Sequence, residues 1–279
     1  LPHPTIGQRL IILPVIDSTN NYAMGQATAG KAGHGTVYFT LEQTAGKGQR
    51  GKTWLATPGE NIMMSVVIEP HPLKTSQQFL LSAAIALGCY DFFKNYAGDE
   101  TSIKWPNDIY WRDRKAAGIL IESRVKSREP GNSRFQPPNP ELPTQNSQLR
   151  TPNSRLQTPD WLFAIAGMGI NINQTQFDPA ALRPVSLKQI TGKTYDINAL
   201  ARELCTSLEN RYQAINNPSQ LLADYQQALY KLHQPVKLKK GASVFETTIQ
   251  GVTPAGQLIT RDTLERHFDV GEVEWVIRT

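Results

Sequence analysis

The run Gln43-Thr44-Ala45-Gly46-Lys47-Gly48-Gln49-Arg50-Gly51-Lys52-Thr53-Trp54 gathers glycine and positive charge as an anion-binding loop would. Gly46, Gly51, Lys52 and Thr53 fit the spacing of a P-loop, while Gly46, Gly48 and Gly51 fit a dinucleotide fingerprint. Both devices need a helix to begin at once, so that its first N–H groups aim at phosphate. Here the chain continues instead through a Pro58-Gly59 turn into Ile62 to Ile68, which reads as a buried strand. The glycines therefore belong to a strand-to-strand loop, either one that closes over an anion through mobile backbone and Lys47, Arg50 and Lys52, or a solvated hairpin.

A second stretch runs Ile103-Lys104-Trp105-Pro106-Asn107-Asp108-Ile109-Tyr110-Trp111, then Arg112 to Lys115 and Ala116 to Glu122. Two reversals this close together bring Lys104, Asp108 and Lys115 near one another on a sheet. Lysines and a carboxylate so gathered suit a phosphate and its magnesium, since opposite charges about 4 Å apart attract by roughly 4 kcal/mol near a protein surface. The plainer alternative is an exposed charged turn. A third stretch, Gly167-Met168-Gly169-Ile170-Asn171, follows the apolar strand Trp161 to Ala166, and glycines there let a ligand approach the backbone. Asn171 offers both a donor and an acceptor, or simply forms a turn.

The elements that position these residues follow from periodicity. A strand at Leu10 to Ile16 meets Asp17-Ser18-Thr19-Asn20, whose side chains suit a helix N-cap, with a helix from about Asn21. Helical stripes appear within Ser76 to Tyr96, along Leu200, Leu204, Leu208 and Tyr212 behind an Asp196 cap, and along Leu221, Leu222, Tyr225, Leu229 and Leu232. After Pro235 the pattern is all strand (236–239, 245–252, 257–261, 265–270 and 273–277), which predicts a small antiparallel barrel. The expected organisation is a mixed α/β domain over 1–234 and a β domain over 235–279.

A chain of 279 residues with 39% hydrophobic content can bury a sizeable core. Its longest apolar run, Phe79 to Tyr90, is too short to span a membrane, and the N-terminus carries no secretion signal. Cys89 and Cys205 fall in helical patterns, which favours buried thiols and a reducing cytoplasm. The five histidines show no metal-ligand spacing. Net charge is +5, but much of it lies between Arg124 and Asp160, which leaves the remainder without a strong footprint for DNA. That segment also holds seven of the nineteen prolines and a near-repeat, so 126–159 reads as a disordered insertion.

Taken together, Asp-Ser-Thr-Asn at 17–20, the glycine loop at 43–54, Lys-Trp-Pro-Asn-Asp at 104–108, Lys-Ala-Ala-Gly-Ile-Leu at 115–120 and Gly-Met-Gly-Ile-Asn at 167–171 resemble biotin protein ligases in order and spacing. The resemblance covers nearly the whole chain apart from the insertion. It implies a mixed sheet flanked by helices, a catalytic domain like that of class II aminoacyl-tRNA synthetases, and an SH3-like C-terminal barrel. It further implies that ATP, with Mg2+, activates biotin to biotinyl-5′-AMP, and that the biotinyl group passes to a lysine of a biotin carboxyl carrier protein, an acetyl-CoA carboxylase subunit.

By matching position, the resemblance places Ser18, Thr19, Asn20, Gln43, Gly46, Lys47, Gly48, Gln49, Lys115, Gly118 and Ile119 around biotin. Arg50, Trp54, Lys104, Asn107, Asp108, Gly169 and Asn171 would serve ATP, with Trp54 stacking on adenine, Asp108 near magnesium and Asn171 on phosphate. Lys115, Lys47 and Arg50 would supply the catalytic charge. Lys47 and Gln49 stand where the family often has arginine, so looser retention of the adenylate is expected. The first core strand starts by Leu10, which predicts a ligase without a helix-turn-helix and without DNA as partner; pairing into a homodimer through a sheet edge stays open. Rival readings are a lipoate ligase or acyl transferase of the same fold, a ligand-responsive DNA-binding regulator, and a P-loop hydrolase.

Overall fold

The computed structural model describes residues 4–126, 161–179, 181 and 183–277. The expected insertion at 126–159 lies, beyond Lys126, outside the described residues. Seven strands form one sheet: β1 (Arg9–Ile16), β2 (Thr36–Gln43), β3 (Asn61–Ile68), β4 (Thr101–Lys104), β5 (Asp108–Trp111), β6 (Arg114–Val125) and β7 (Trp161–Asn171). Their spatial order is β1-β2-β3-β7-β6-β5-β4, with β1 and β2 parallel and every other pair antiparallel.

Every residue of β3 is buried, because both faces of the central strands are covered. On one face lies α1 (Thr19–Thr28), whose Ala23 packs with Tyr38, Val67 and Ile165. On the other lie α2 (Gln78–Ala97) and α4 (Ile197–Gln213), flanked by α3 (Leu187–Thr191) and α5 (Pro218–Gln227). Gly88 of α2 lets α4 approach so closely that a Cβ there would lie 2.9 Å from the Leu208 Cα. Arg211 of α4 pairs with Asp91 of α2 and Asp224 of α5, fastening the three helices.

Five further strands, β8 (Pro235–Lys240), β9 (Ser243–Val252), β10 (Leu258–Arg261), β11 (Glu265–Phe268) and β12 (Glu274–Trp275), make an antiparallel sheet in the order β11-β10-β9-β8-β12. Its buried Leu238, Ile249, Val252, Leu258 and Phe268 belong to the same hydrophobic cluster as α2 and the main sheet. The structure is thus the expected mixed α/β layer followed by a β extension.

Three local expectations change. Gly167 to Asn171 does not follow the last strand but lies inside it, because β7 pairs with β3 as far as Asn171. Leu229 and Leu232 fall outside α5, which stops at Gln227. Ser18 is the N-cap residue of α1, yet its side chain makes no capping bond; Asp17 instead accepts from the Asn21 amide at 2.5 Å. Asp196 caps α4 as expected, accepting from the N–H groups of Asn198 and Ala199.

Candidate active site

Side chains alternate across a strand, so the register decides which residues share a face. Ser65 pairs with Gly167, Gly167 with Leu120, Gly169 with Gly118, and Glu122 with Ile165. Ile165 and Val67 pack under α1, so Ser65, Gly167, Gly169, Gly118, Leu120 and Glu122 all belong to the α1 face. The three glycines make this floor shallow, and side chains from elsewhere descend into the space. A Cβ on Gly167 would lie 1.9 Å from Asn20 Oδ1, and one on Gly169 would lie 2.3 Å from the Trp54 ring. A Cβ on Gly118 would sit 3.0 Å from Trp54 and 3.2 Å from Lys115 Nζ.

A row of buried polar groups crosses the floor. The Thr19 N–H donates to Gln43 Oε1 at 2.7 Å, and the Thr19 hydroxyl reaches the same oxygen at 3.2 Å. Ser65 Oγ lies 2.8 Å from Thr19 Oγ1 and 2.6 Å from Asn20 Oδ1. Asn20 Nδ2 donates to Glu122 Oε2 at 2.8 Å, while Glu122 Oε1 faces Lys47 Nζ at 3.8 Å. Ser18 is buried beside this row at the start of α1. Ser65 and Glu122 were not among the expected site residues. A lone hydroxyl in the otherwise apolar run Ile62 to Ile68 was the available signal, since buried polar groups need partners.

The glycine loop folds as a hairpin over this floor. Lys47 bridges Thr53, Gly48 N–H donates to Lys52 O at 2.6 Å, and Trp54 N–H donates to Gly46 O at 2.9 Å. Gly46 has no room for a side chain, because a Cβ would fall 2.4 Å from the Trp54 carbonyl oxygen. A single 3-10 turn, Gln49–Gly51, carries Arg50 at φ 55°, and the chain then runs extended toward β3. No α-helix follows Gly51, which removes the P-loop and dinucleotide readings. Gln49 Nε2 pins the loop down, donating to Asn107 Oδ1 at 2.6 Å and to the Ile119 carbonyl at 3.0 Å. The Arg50 guanidinium rests against Gly271, in the turn between β11 and β12.

Beyond the loop lies a cationic corner. Lys104 pairs with Asp108 across β4 and β5, and Lys115 Nζ meets Asp108 Oδ1 at 2.8 Å, so the expected cluster of the three forms. Lys104 Nζ lies over the rings of Tyr110 (5.0 Å) and Trp275 (5.8 Å), the latter from β12. Burial pushes the Lys104 ammonium down to about 8; Asp108 opposes this, and Lys115 and Lys52 add to it. Trp54 Nε1 is buried with no hydrogen-bond partner.

Asn171, the last residue of β7, meets the backbone on either side of it. Its amide is buried and donates to the carbonyls of Lys115 (3.4 Å) and Val185 (3.2 Å), so it braces the backbone that carries Lys115. Among the described residues no three His, Cys, Asp or Glu cluster as metal ligands. Two surface cavities lie elsewhere, one beside Gly30, Glu69, His71 and Trp161 and one beside Arg114 and Pro184.

The site thus joins a row of hydrogen-bonding side chains to a corner of two lysines and an aspartate, under a glycine hairpin in an α/β fold. A profile of the biotin/lipoate A/B protein ligase family matches residues 12–131. Residues 12–131 thus carry the features of a biotin/lipoate A/B protein ligase domain. It is 31% identical over 212 residues to the bifunctional ligase/repressor BirA of Bacillus spizizenii, covering 75% of this chain and 55% of that protein. It is 29% identical over 224 residues to the biotin–[acetyl-CoA-carboxylase] ligase of Mycobacterium tuberculosis, covering 78% and 70%. The chain thus spans about half the length of the curated BirA relative. The fold matches a biotin protein ligase from Aquifex aeolicus, solved with biotin and ATP, at a TM-score of 0.72 and 20% identity, over 96% of this chain and 99% of that one.

Proposed function

We propose that this chain is an ATP-dependent biotin protein ligase. The observation that carries the reading is the unbroken row Gln43, Thr19, Ser65 and Asn20 beside Lys115 and Asp108, all beneath one loop. Biotin's ureido ring offers two N–H donors and a carbonyl acceptor, which a row of amides and hydroxyls can satisfy. The dithiolane of lipoate offers neither, so the donor and acceptor capacity that the row keeps spare would go unanswered by that ligand.

In this reading residues 1–234 form the catalytic domain and 235–279 the β domain. Ser18, Thr19, Asn20 and Gln43 hold the ureido ring, with Gly46, Lys47, Gly48, Gln49 and the backbone of Gly118 and Ile119 closing around it. Lys115 neutralises the biotin carboxylate as that group attacks the α-phosphorus of ATP and pyrophosphate departs; Lys104 and Arg50 hold the phosphates. Trp54 receives adenine, and its unpartnered Nε1 gives that ring a polar handle. Asn107 and Gly169 shape the nucleotide side, and Asn171 acts there through the backbone of Lys115. Asp108 is the carboxylate that meets Lys115 in the corner, and a lone carboxylate there would fit a magnesium held mainly by ATP phosphates and water.

The closed loop then keeps water from the mixed anhydride until a lysine of a biotin carboxyl carrier protein attacks it. Lys115→Ala tests the assignment: adenylate formation in a single turnover should fall by roughly 10²-fold or more, the scale of one preorganised charge. An unchanged rate would remove Lys115 from the chemistry.

A further inference from the structure

Glu122 stands where the polar floor meets the glycine loop, and its two carboxylate oxygens serve different partners. Oε2 accepts from Asn20 Nδ2 at 2.8 Å, and Oε1 faces Lys47 Nζ at 3.8 Å. A carboxylate can only accept, so Asn20 must turn its N–H2 end toward Glu122, with the Leu120 carbonyl a longer second acceptor at 3.5 Å, and its oxygen toward Ser65. Ser65 Oγ then spends its single proton within the row, between Asn20 Oδ1 and Thr19 Oγ1. Thr19 in turn directs its hydroxyl to Gln43 Oε1. The hydroxyl lone pairs of Ser65 and Thr19 are left as acceptors, the polarity that a ligand bearing N–H groups requires. Asn20 cannot relax away from this arrangement, because it is buried against Gly167.

We propose that Glu122 is a positioning residue that fixes the hydrogen-bond polarity of the biotin slot and, through Lys47, ties the position of the glycine loop to it. The inference rests on the biotin-ligase reading. Glutamine at 122 keeps the shape but can donate as well as accept. It therefore no longer dictates the Asn20 amide, and it gives Lys47 no charge to meet.

The test compares wild type, Glu122→Gln, Lys47→Ala and the double variant, using calorimetric titration with biotin, kcat and KM for biotin, and the rate at which biotinyl-adenylate leaves the protein. Glu122→Gln should weaken biotin binding and raise its KM roughly tenfold, the scale of one charge-assisted hydrogen bond, with kcat at saturating biotin changed less than about twofold. It should also speed adenylate release, and Lys47→Ala should cost less in the Glu122→Gln background than in the wild type, because the part of its effect that runs through Glu122 is already lost. Unaltered biotin affinity in Glu122→Gln, or a Lys47→Ala effect that adds in full, overturns the assignment of Glu122 while the ligase reading stands. A wild-type protein that forms no biotinyl-adenylate overturns both.

Discussion

At the scale of single residues, three glycines and one lysine set the terms of the site. Gly167, Gly169 and Gly118 are spaced two apart on adjacent strands, so all three open the same face, and Asn20 and Trp54 occupy the room they leave. Burial pushes the Lys104 ammonium down to about 8, below the range of an exposed lysine, while the Tyr110 and Trp275 rings beside it favour the cation. The direction of the pH effect follows. Below about 8 the side chain is cationic and can meet ATP phosphates; as pH rises through 8 the cation disappears. The KM for ATP should therefore climb between pH 8 and 9.5 in the wild type and stay level in Lys104→Arg, whose guanidinium remains charged. Parallel profiles for the two proteins would show that Lys104 does not face ATP.

At the scale of elements, the loop and the strands beneath it are held by contacts that cross the chain. Gln49 joins the loop to Asn107 and Ile119, so two neutral hydrogen bonds secure a position where an arginine would bring charge. Trp105, in the turn between β4 and β5, donates from Nε1 to the Gly256 carbonyl of the C-terminal sheet at 2.9 Å and is buried. Trp105→Phe leaves that carbonyl without its donor and should lower stability by about 1–3 kcal/mol, read as a lower urea midpoint. An unchanged midpoint would mean that the bond contributes nothing net. Much of this was legible beforehand: alternation and stripes gave the strands and helices, and the Pro58-Gly59 break excluded a helix after Gly51. Two things were not. The partners of Asn171 depend on how Val185 comes to lie beside Lys115, and no local spacing encodes that. Glu122 reads as an ordinary strand residue until the β6 and β7 register brings it onto the α1 face.

At the scale of the whole molecule, one hydrophobic cluster runs from Ile6 to Val273 and joins the helix-covered face opposite α1 to the inner residues of the C-terminal sheet. The C-terminal sheet is accordingly packed as part of the body, and it reaches the site at Lys104 through Trp275 and at Arg50 beside Gly271. The sequence pattern foretold the β extension but not these contacts, since aromatic residues at its end read equally well as barrel core. Free Cys89 and Cys205 are both buried, and burial pushes the Cys89 thiol up beyond the range where it ionises and the Cys205 thiol to about 11. Burial thus keeps both groups as protonated thiols near neutral pH. No helix among the described residues is long and apolar enough to cross a membrane.

The most direct measurement incubates the purified protein with ATP and magnesium, and with either biotin or lipoate, and weighs the small-molecule product. The polar slot predicts biotinyl-5′-AMP, formed at least about a hundredfold faster than the lipoyl adenylate, the scale expected when a site built to hydrogen-bond its ligand meets one that cannot answer. Equal yields of the two, or lipoyl adenylate alone, would contradict the assignment of that slot to biotin.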